Sequence, residues 1–116
     1  MLKENQILDL SFEFAVLVVE YCELLEEKRR FVISHQLLKS GTSIGANVRE
    51  AQSAESKIDF IHKLKIADKE ADETEYWLLL CKQSKSYPDP EILLDKIISI
   101  KKLLSKIIST SKSSLK

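Results

Sequence analysis

Apolar and polar residues alternate along most of this chain at the three- and four-residue spacing of amphipathic helices. The pattern predicts four helices, at about residues 5–27, 34–53, 56–85 and 90–110. The connections between them are short, so sequential helices should be antiparallel neighbours. We therefore predict an all-α fold, an antiparallel up-and-down four-helix bundle, with one domain over residues 1–116. The residues predicted to face its core are Ile7, Leu10, Phe14, Leu17, Tyr21 and Leu24; Leu37, Gly41, Ile44, Val48 and Ala51; Phe60, Leu64, Ala67, Ala71, Thr74, Leu78 and Cys81; and Leu93, Ile97, Ile100, Leu104 and Ile107.

Polar residues near the predicted helix starts supply capping groups. Ser34 is expected to cap the second helix, because a serine hydroxyl accepts from the free amides of a first turn. Ser56 should cap the third helix, with Asp59 three residues on in a capping-box position. Asp89 should cap the fourth, with Pro90 at the first helical position.

Both glycines of the chain, Gly41 and Gly45, lie inside the predicted second helix. A glycine in a helix interior costs roughly 1 kcal/mol relative to alanine, so two of them need a reason. Residues four apart share a helix face, and a glycine there lets a neighbouring backbone come near. A phosphate-binding loop is a poor alternative, because the motif lacks its Gly-Lys-Ser/Thr ending and follows no strand.

The first and fourth predicted helices carry more apolar surface than one core-facing seam requires. A helix that is apolar nearly all round must be covered on more than one side. We interpret the excess as a subunit interface, since a four-helix domain of this size leaves an outer face on every helix. The residues in excess are Phe12, Ala15, Val16, Val18, Val19, Cys22, Leu25, Leu94, Ile98, Leu103 and Ile108.

The chain has 18 basic and 18 acidic residues and a formal net charge of zero. The charges are unevenly distributed, because residues 1–27 carry one lysine against seven acids whereas residues 91–116 carry six lysines against two acids. The uneven distribution allows one face to be basic in a neutral molecule. We read Cys22 and Cys81 as buried apolar residues. The start of the chain has no basic and apolar leader, and the apolar stretch of the first helix contains charges, so we expect a cytoplasmic protein with no membrane contact.

Little in the sequence indicates catalysis or a bound metal. A di-iron bundle needs two Glu-x-x-His motifs, and this chain offers only Asp59 with His62. No serine stands in a recognisable pattern with a histidine and an acid. We therefore expect no cofactor, no metal and no enzymatic activity.

The polar residues of the second and third helices form a second set of interest, namely Asn47, Arg49, Glu70, Glu73 and Trp77. We interpret Arg49 as pairing a carboxylate, since a guanidinium binds one bidentately. An anion site at Arg49 is the alternative. Whether Arg49 meets Glu70 and Glu73 within one subunit or between subunits stays open.

Basic side chains supply the candidates for contact with nucleic acid. A solvated lysine face is the other interpretation of such a set, and no aromatic residues alternate with the lysines to stack on bases. Repetition around an oligomer would strengthen even a modest basic patch through multivalency. The candidates are Arg29, Arg30, Lys39, Lys96, Lys101, Lys102 and Lys106.

Three motifs carry a resemblance to a known family: QLLKSGTSIGANVREA at residues 36–51, DFIHKL at 59–64 and KEADETEYWL at 69–78. With them, the chain closely resembles the four-helix-bundle proteins of the 23S ribosomal RNA intervening-sequence family. The resemblance implies up-and-down bundles that assemble into homopentameric barrels. Relatives include the accessory variability protein of diversity-generating retroelements, which works with a reverse transcriptase and binds nucleic acid through a basic surface. The neutral charge of this chain departs from that strongly basic relative.

Three hypotheses about function follow. The first is a non-enzymatic oligomeric scaffold that contacts RNA or DNA electrostatically. The second is a protein-interaction module without nucleic-acid contact, whose partner is a polypeptide such as a reverse transcriptase, held on the apolar or acidic surfaces of the first helix. The third is an enzyme with a site at the subunit interface around Arg49, Glu70 and Glu73.

Overall fold

The computed structural model describes residues 3–115, with side chains from residue 6 onward, and this part of the chain contains four α-helices and no strand. Each helix packs against the next, and the last packs against the first. The molecule measures 50 × 24 × 20 Å. The helices are α1 (Lys3–Glu27), α2 (Phe31–Ala51), α3 (Lys57–Gln83) and α4 (Glu91–Ser113).

One hydrophobic core lies along the axis of this ring of helices. The predicted core residues of α2 are all buried, and so are those of α3 except Phe60, which is partly buried. In α4 the prediction is wrong for Ile107, which is only partly buried, and for Leu94 and Ile108, which were assigned to a subunit interface but lie in the core of the single chain. For α2 and α3 a single apolar stripe predicted most of the buried face, to which the structure adds Ser34, Ser40 and Ile61.

The predicted core face of α1 is rotated from the one observed. Val18 and Leu25 are fully buried, whereas Leu17 is partly buried and Leu24 is 47% exposed. The small polar residue Ser11 is also fully buried. Because α1 is apolar nearly all round, its periodicity did not determine which stripe faces the core.

The two glycines of α2 mark its closest approach to α1. A β-carbon added to Gly41 would lie 2.9 Å from both γ-carbons of Val18. One added to Gly45 would lie 3.2 Å from the backbone oxygen of Ser11. Neither glycine has a positive φ, so both are required for space and not for backbone conformation. The expectation of a close helix contact is confirmed.

The predicted cap of α2 is wrong. The helix begins at Phe31, and Ser34 is a buried residue within its first turn. Its hydroxyl lies 3.2 Å from the carbonyl oxygen of Cys22 and 3.1 Å from Oε2 of Glu26. Ser34 therefore joins α1 to α2. The earlier start follows a tight connection in which Arg29 adopts a left-handed φ of 63°.

The other two predicted caps are closer to the structure. Ser56 caps α3, since its hydroxyl accepts from the Asp59 amide at 3.0 Å. The Asp59 carboxylate accepts from the amide of Glu55 at 3.4 Å, one residue before the expected capping-box partner. At α4, Asp89 accepts from the amide of Glu91 at 3.1 Å, but Pro90 is the residue that precedes the helix.

Contacts across the helix seams follow a regular order. Ser11 meets Gly45 while Val18, further along α1, meets Gly41. Other seams repeat this order, in which residue numbers rise along one helix and fall along its neighbour. The corresponding pairs are Ser40 with Thr74 and Glu50 with Lys63 between α2 and α3, and Glu75 with Lys101 and Lys82 with Glu91 between α3 and α4.

Candidate interaction surfaces

The lysines of α4 do not share one face, and Lys101 is turned towards α3. Its ammonium lies 2.7 Å from Asp72 Oδ1 and 2.7 Å from Glu75 Oε1. The hydrogen bonds to these two carboxylates raise the pKa of Lys101. This lysine therefore belongs to the α3–α4 seam, where its charge is already balanced.

Lys102 and Lys106 lie on the other side of α4, towards α1. Together with Gln6 they line a shallow cavity of about 340 Å³. Lys96 lines a smaller neighbouring cavity with Glu13. None of these three lysines takes part in the ion pairs found among residues 6–115.

The two candidate arginines lie at the end of the molecule where α1 turns into α2. Arg30 packs over the ring of Tyr87 at 5.2 Å and donates to the hydroxyl of Ser86 at 2.6 Å. Arg29 lies 6.0 Å from the ring centre of Phe31. Arg30 thus ties this turn to the α3–α4 connection.

The seven basic candidates do not form one surface. Lys39 is exposed on α2, where its charge acts on Glu70 of α3. The arginines lie at the end where α4 starts, whereas Lys106 is 15 residues beyond Glu91. At the rise of an α-helix, that separation is roughly 22 Å.

A basic cluster that the sequence analysis did not select lies where α3 begins and α4 ends. His62, Lys65 and Lys112 line a cavity of about 290 Å³. The ammonium of Lys112 beside that of Lys65 lowers the pKa of Lys65, and Lys69 adds to the effect. At the same end, Lys57 donates to the hydroxyl of Ser114 at 2.6 Å. We call His62, Lys65, Lys69 and Lys112 the basic end cluster.

A cavity of about 640 Å³ forms an open groove between α1 and α2 that we call the α1–α2 groove. Phe12 lies in it with 69% of its surface exposed. The charged residues of the groove are Asp9, Glu13 and Arg49. Its lining is completed by Leu8, Ala15, Thr42, Gly45 and Ala46.

A second exposed apolar surface follows the outer face of α3. Tyr76 is 57% exposed, and Leu79 and Leu80 are also exposed. The Trp77 indole donates to Glu73 Oε2 at 3.2 Å and meets the Tyr76 ring edge-on, with 5.3 Å between centroids. We call Glu73, Tyr76, Leu79 and Leu80 the α3 ridge.

The remaining motif residues have separate environments. Asn47 donates its side-chain amide to the carbonyl oxygen of Ser43 at 2.9 Å. Arg49 is exposed and is absent from the ion pairs among residues 6–115, so within the described chain it pairs with neither Glu70 nor Glu73. Burial and the nearby charge of Glu73 raise the pKa of Glu70, against the opposing effect of Lys39.

Both cysteines are buried, as the sequence predicts. Burial raises the pKa of Cys22 to about 11 and also raises that of Cys81. Burial likewise raises the pKa of Tyr21, whose hydroxyl donates to the carbonyl oxygen of Pro88 at 2.5 Å. These three groups therefore stay protonated near neutral pH.

Two negative findings apply to the described residues. No helix among them is long and apolar enough to cross a membrane. No three histidine, cysteine, aspartate or glutamate side chains gather there as a possible metal site.

Four packed helices with two separate exposed apolar surfaces define the class, an all-α four-helix protein. The chain belongs to the 23S rRNA-intervening sequence protein family, whose model matches residues 3–106. It is similar, at 49% identity, to a protein of unknown function from the S23 ribosomal protein family of Bacteroides thetaiotaomicron. That crystal structure superimposes with a TM-score of 0.86, over 93% of this chain and 99% of the other. No curated protein matches the chain.

Proposed function

We propose that this protein is a non-enzymatic, self-assembling scaffold that binds the phosphate backbone of RNA or DNA. Assembly repeats one modest basic surface several times, and multivalency then raises affinity without any further contact. Such a scaffold needs no net positive charge, because only the surface that meets the phosphates has to be basic. We place it in the cytoplasm.

The fold and the exposed apolar surfaces support self-assembly. The order of contacts across the seams supports an antiparallel up-and-down bundle. Exposed apolar residues on α1 and α3 favour burial against further copies. These two helices are not neighbours in the ring of four, so their outer faces point in different directions. We propose a homopentameric barrel.

The observation that carries nucleic-acid binding is the basic end cluster. Lys65 and Lys112 lie side by side from two different helices, and neither belongs to the ion pairs of residues 6–115. Two adjacent ammonium groups repel each other, and a phosphate placed between them would remove that repulsion. Lys102 and Lys106 add a second free pair on α4.

A salt titration tests this proposal. Fluorescence anisotropy with a labelled RNA hairpin and a DNA duplex of matched sequence would give affinity against salt concentration. Each phosphate neutralised adds about 0.9 to the logarithmic salt slope on duplex DNA. We expect K65Q/K112Q to weaken binding and to flatten the slope by about 2 per copy engaged.

The matched control is K28Q/K85Q, which removes two exposed lysines at the opposite end of the molecule. It should leave both the affinity and the slope unchanged. If the unchanged protein does not bind nucleic acid at low salt, the proposal is overturned. If the control variant loses as much affinity as K65Q/K112Q, the basic end cluster is not the binding surface.

The α1–α2 groove favours a second candidate, a module that binds a polypeptide partner and no nucleic acid. Its exposed Phe12 and its acidic side chains would suit an apolar and basic peptide segment. This function predicts indifference to nucleic acid at every salt concentration. Phe12→Asp should then abolish capture of the partner by the assembled protein.

A further inference from the structure

We propose that the α3 ridge of one copy lies in the α1–α2 groove of a second copy, and that Arg49 of the groove pairs there with Glu73 of the ridge. This inference rests on the self-assembly proposed above and names the two surfaces that form the contact. The occupant of the groove is therefore another copy of this chain.

Shape supports this occupant. The groove is an open cavity of about 640 Å³ whose apolar lining includes the largely exposed Phe12. The ridge presents large apolar side chains, Tyr76, Leu79 and Leu80, that have no cover in the single chain. Burying an apolar ridge in an apolar groove removes both surfaces from water.

The matching lengths of the groove and the ridge also support a second copy as the occupant. Thr42 and Arg49, seven residues apart, mark the groove wall on α2, and Glu73 and Leu80, also seven residues apart, mark the ridge on α3. At the rise of an α-helix, each spans about 10 Å. Arg49 stands at one end of the α2 wall and Glu73 at one end of the ridge, so the two side chains can meet while the apolar residues pack.

The charge of Arg49 favours a second copy over an uncharged partner; Asp9 and Glu13 line the α1 side of the same groove. Arg49 is exposed and without an acidic partner among residues 6–115. Among the residues with described side chains, the carboxylate of Glu73 accepts only from the Trp77 indole, which leaves room for a guanidinium. Glu73 also raises the pKa of Glu70, and a cation from another copy would relieve this repulsion.

The positions of the two surfaces determine the type of contact. The groove is formed by α1 and α2 and the ridge by α3, and the two surfaces share no residue. Each copy can therefore use its groove with one neighbour and its ridge with another. Such head-to-tail contacts build a ring when the rotation between copies closes.

A charge exchange tests the pairing. The mass of the particle would be measured by light scattering at several protein concentrations for R49E, E73R and the double variant R49E/E73R. We expect each single variant to lose assembly, with at least a tenfold higher concentration needed to recover it. The double variant should recover the assembled mass, because the exchanged charges again attract each other.

Matched controls are R29E and E55R, which make the same charge changes at exposed positions outside both surfaces. Both should assemble normally, and circular dichroism should show every variant to be helical. Phe12→Asp, which introduces a charge into the apolar groove, should also produce a helical monomer.

The outcomes separate the two proposals. Full assembly of R49E and E73R would overturn this contact and leave self-assembly in place. A double variant that stays monomeric would overturn the pairing of Arg49 with Glu73. An unchanged protein that is monomeric at every concentration would overturn self-assembly, and this inference with it.

Discussion

The α1–α2 seam and the α3–α4 seam hold neighbouring helices together by different means. Between α1 and α2, the missing side chains of Gly41 and Gly45 leave room for Val18 and for the backbone of Ser11. Between α3 and α4, Lys101 joins two carboxylates and Lys82 joins Glu91 at 3.3 Å. The first seam depends on close packing and the second is reinforced by charge at its edge.

This difference indicates which substitutions will change the stability of the fold and which will change the interactions of the protein. A closely packed contact between uncharged side chains tolerates few substitutions, because each atom added there displaces another. Exposed ion pairs contribute little and can be rearranged. We therefore expect substitutions in the α1–α2 seam to change folding, and substitutions at the α3–α4 edge to change binding more than folding.

The largest effect should come from Gly41→Leu. The γ-carbons of Val18 already stand 2.9 Å from the position of a β-carbon, and Val18 is fully buried, so the helices must separate. We expect a loss of about 3 kcal/mol in the free energy of unfolding, measured with urea. The exposed neighbour control His35→Leu should lose less than about 0.5 kcal/mol. An unfolding free energy unchanged by Gly41→Leu would refute close packing at this seam.

The sequence predicted this seam from one side only. Gly41 and Gly45 stand out because each carries a known cost in a helix, so their need for space is readable without a structure. Their partners Ser11 and Val18 carry no such signal, because α1 offers several apolar stripes of similar quality. The rotation of α1 depends on which stripe meets the glycines, and that information lies in the packing.

Ser34→Ala should have the next largest effect. Its buried hydroxyl bonds the carbonyl oxygen of Cys22 and approaches Glu26, so removing it breaks a polar link across the α1–α2 seam. We expect a loss of about 1 kcal/mol by urea unfolding. Ser43→Ala removes an exposed hydroxyl bond within the same helix and should cost almost nothing. Equal losses in the two variants would contradict a role for Ser34 between helices.

Lys101→Met should have a smaller effect, which depends on salt. Both carboxylates that bind Lys101 reach solvent, so we expect a loss of about 0.5 kcal/mol at low salt that disappears at high salt. Since the folded state raises the pKa of Lys101, its contribution is present below the ordinary value of 10.5 and is lost as pH rises through the raised value. Lys102→Met, without an ion pair, should show neither dependence.

The candidate binding residues were harder to predict than the fold. The sequence groups Lys96, Lys101, Lys102 and Lys106 on one helix. Among the described residues, a rotation of about 100° separates the paired Lys101 from the unpaired Lys102. Lys65 and Lys112 are 47 residues apart, and only the packing of α3 on α4 brings them together. A contact between distant positions leaves no local pattern to read.

Lys112→Gln should have the smallest effect on stability, and the only favourable one. The Lys112 ammonium lowers the pKa of Lys65, so folding brings two like charges together at a cost present at neutral pH and relieved as pH rises through the lowered pKa. We expect a slightly higher Tm at low salt that vanishes at high salt, and an NMR titration of the Lys65 side chain shifted back towards its ordinary pKa of 10.5. The same variant should bind the RNA hairpin more weakly. A variant that stabilises the free protein and weakens the complex would support a phosphate-binding role for the pair, whereas an unchanged Lys65 titration would show that the two ammonium groups do not meet in solution.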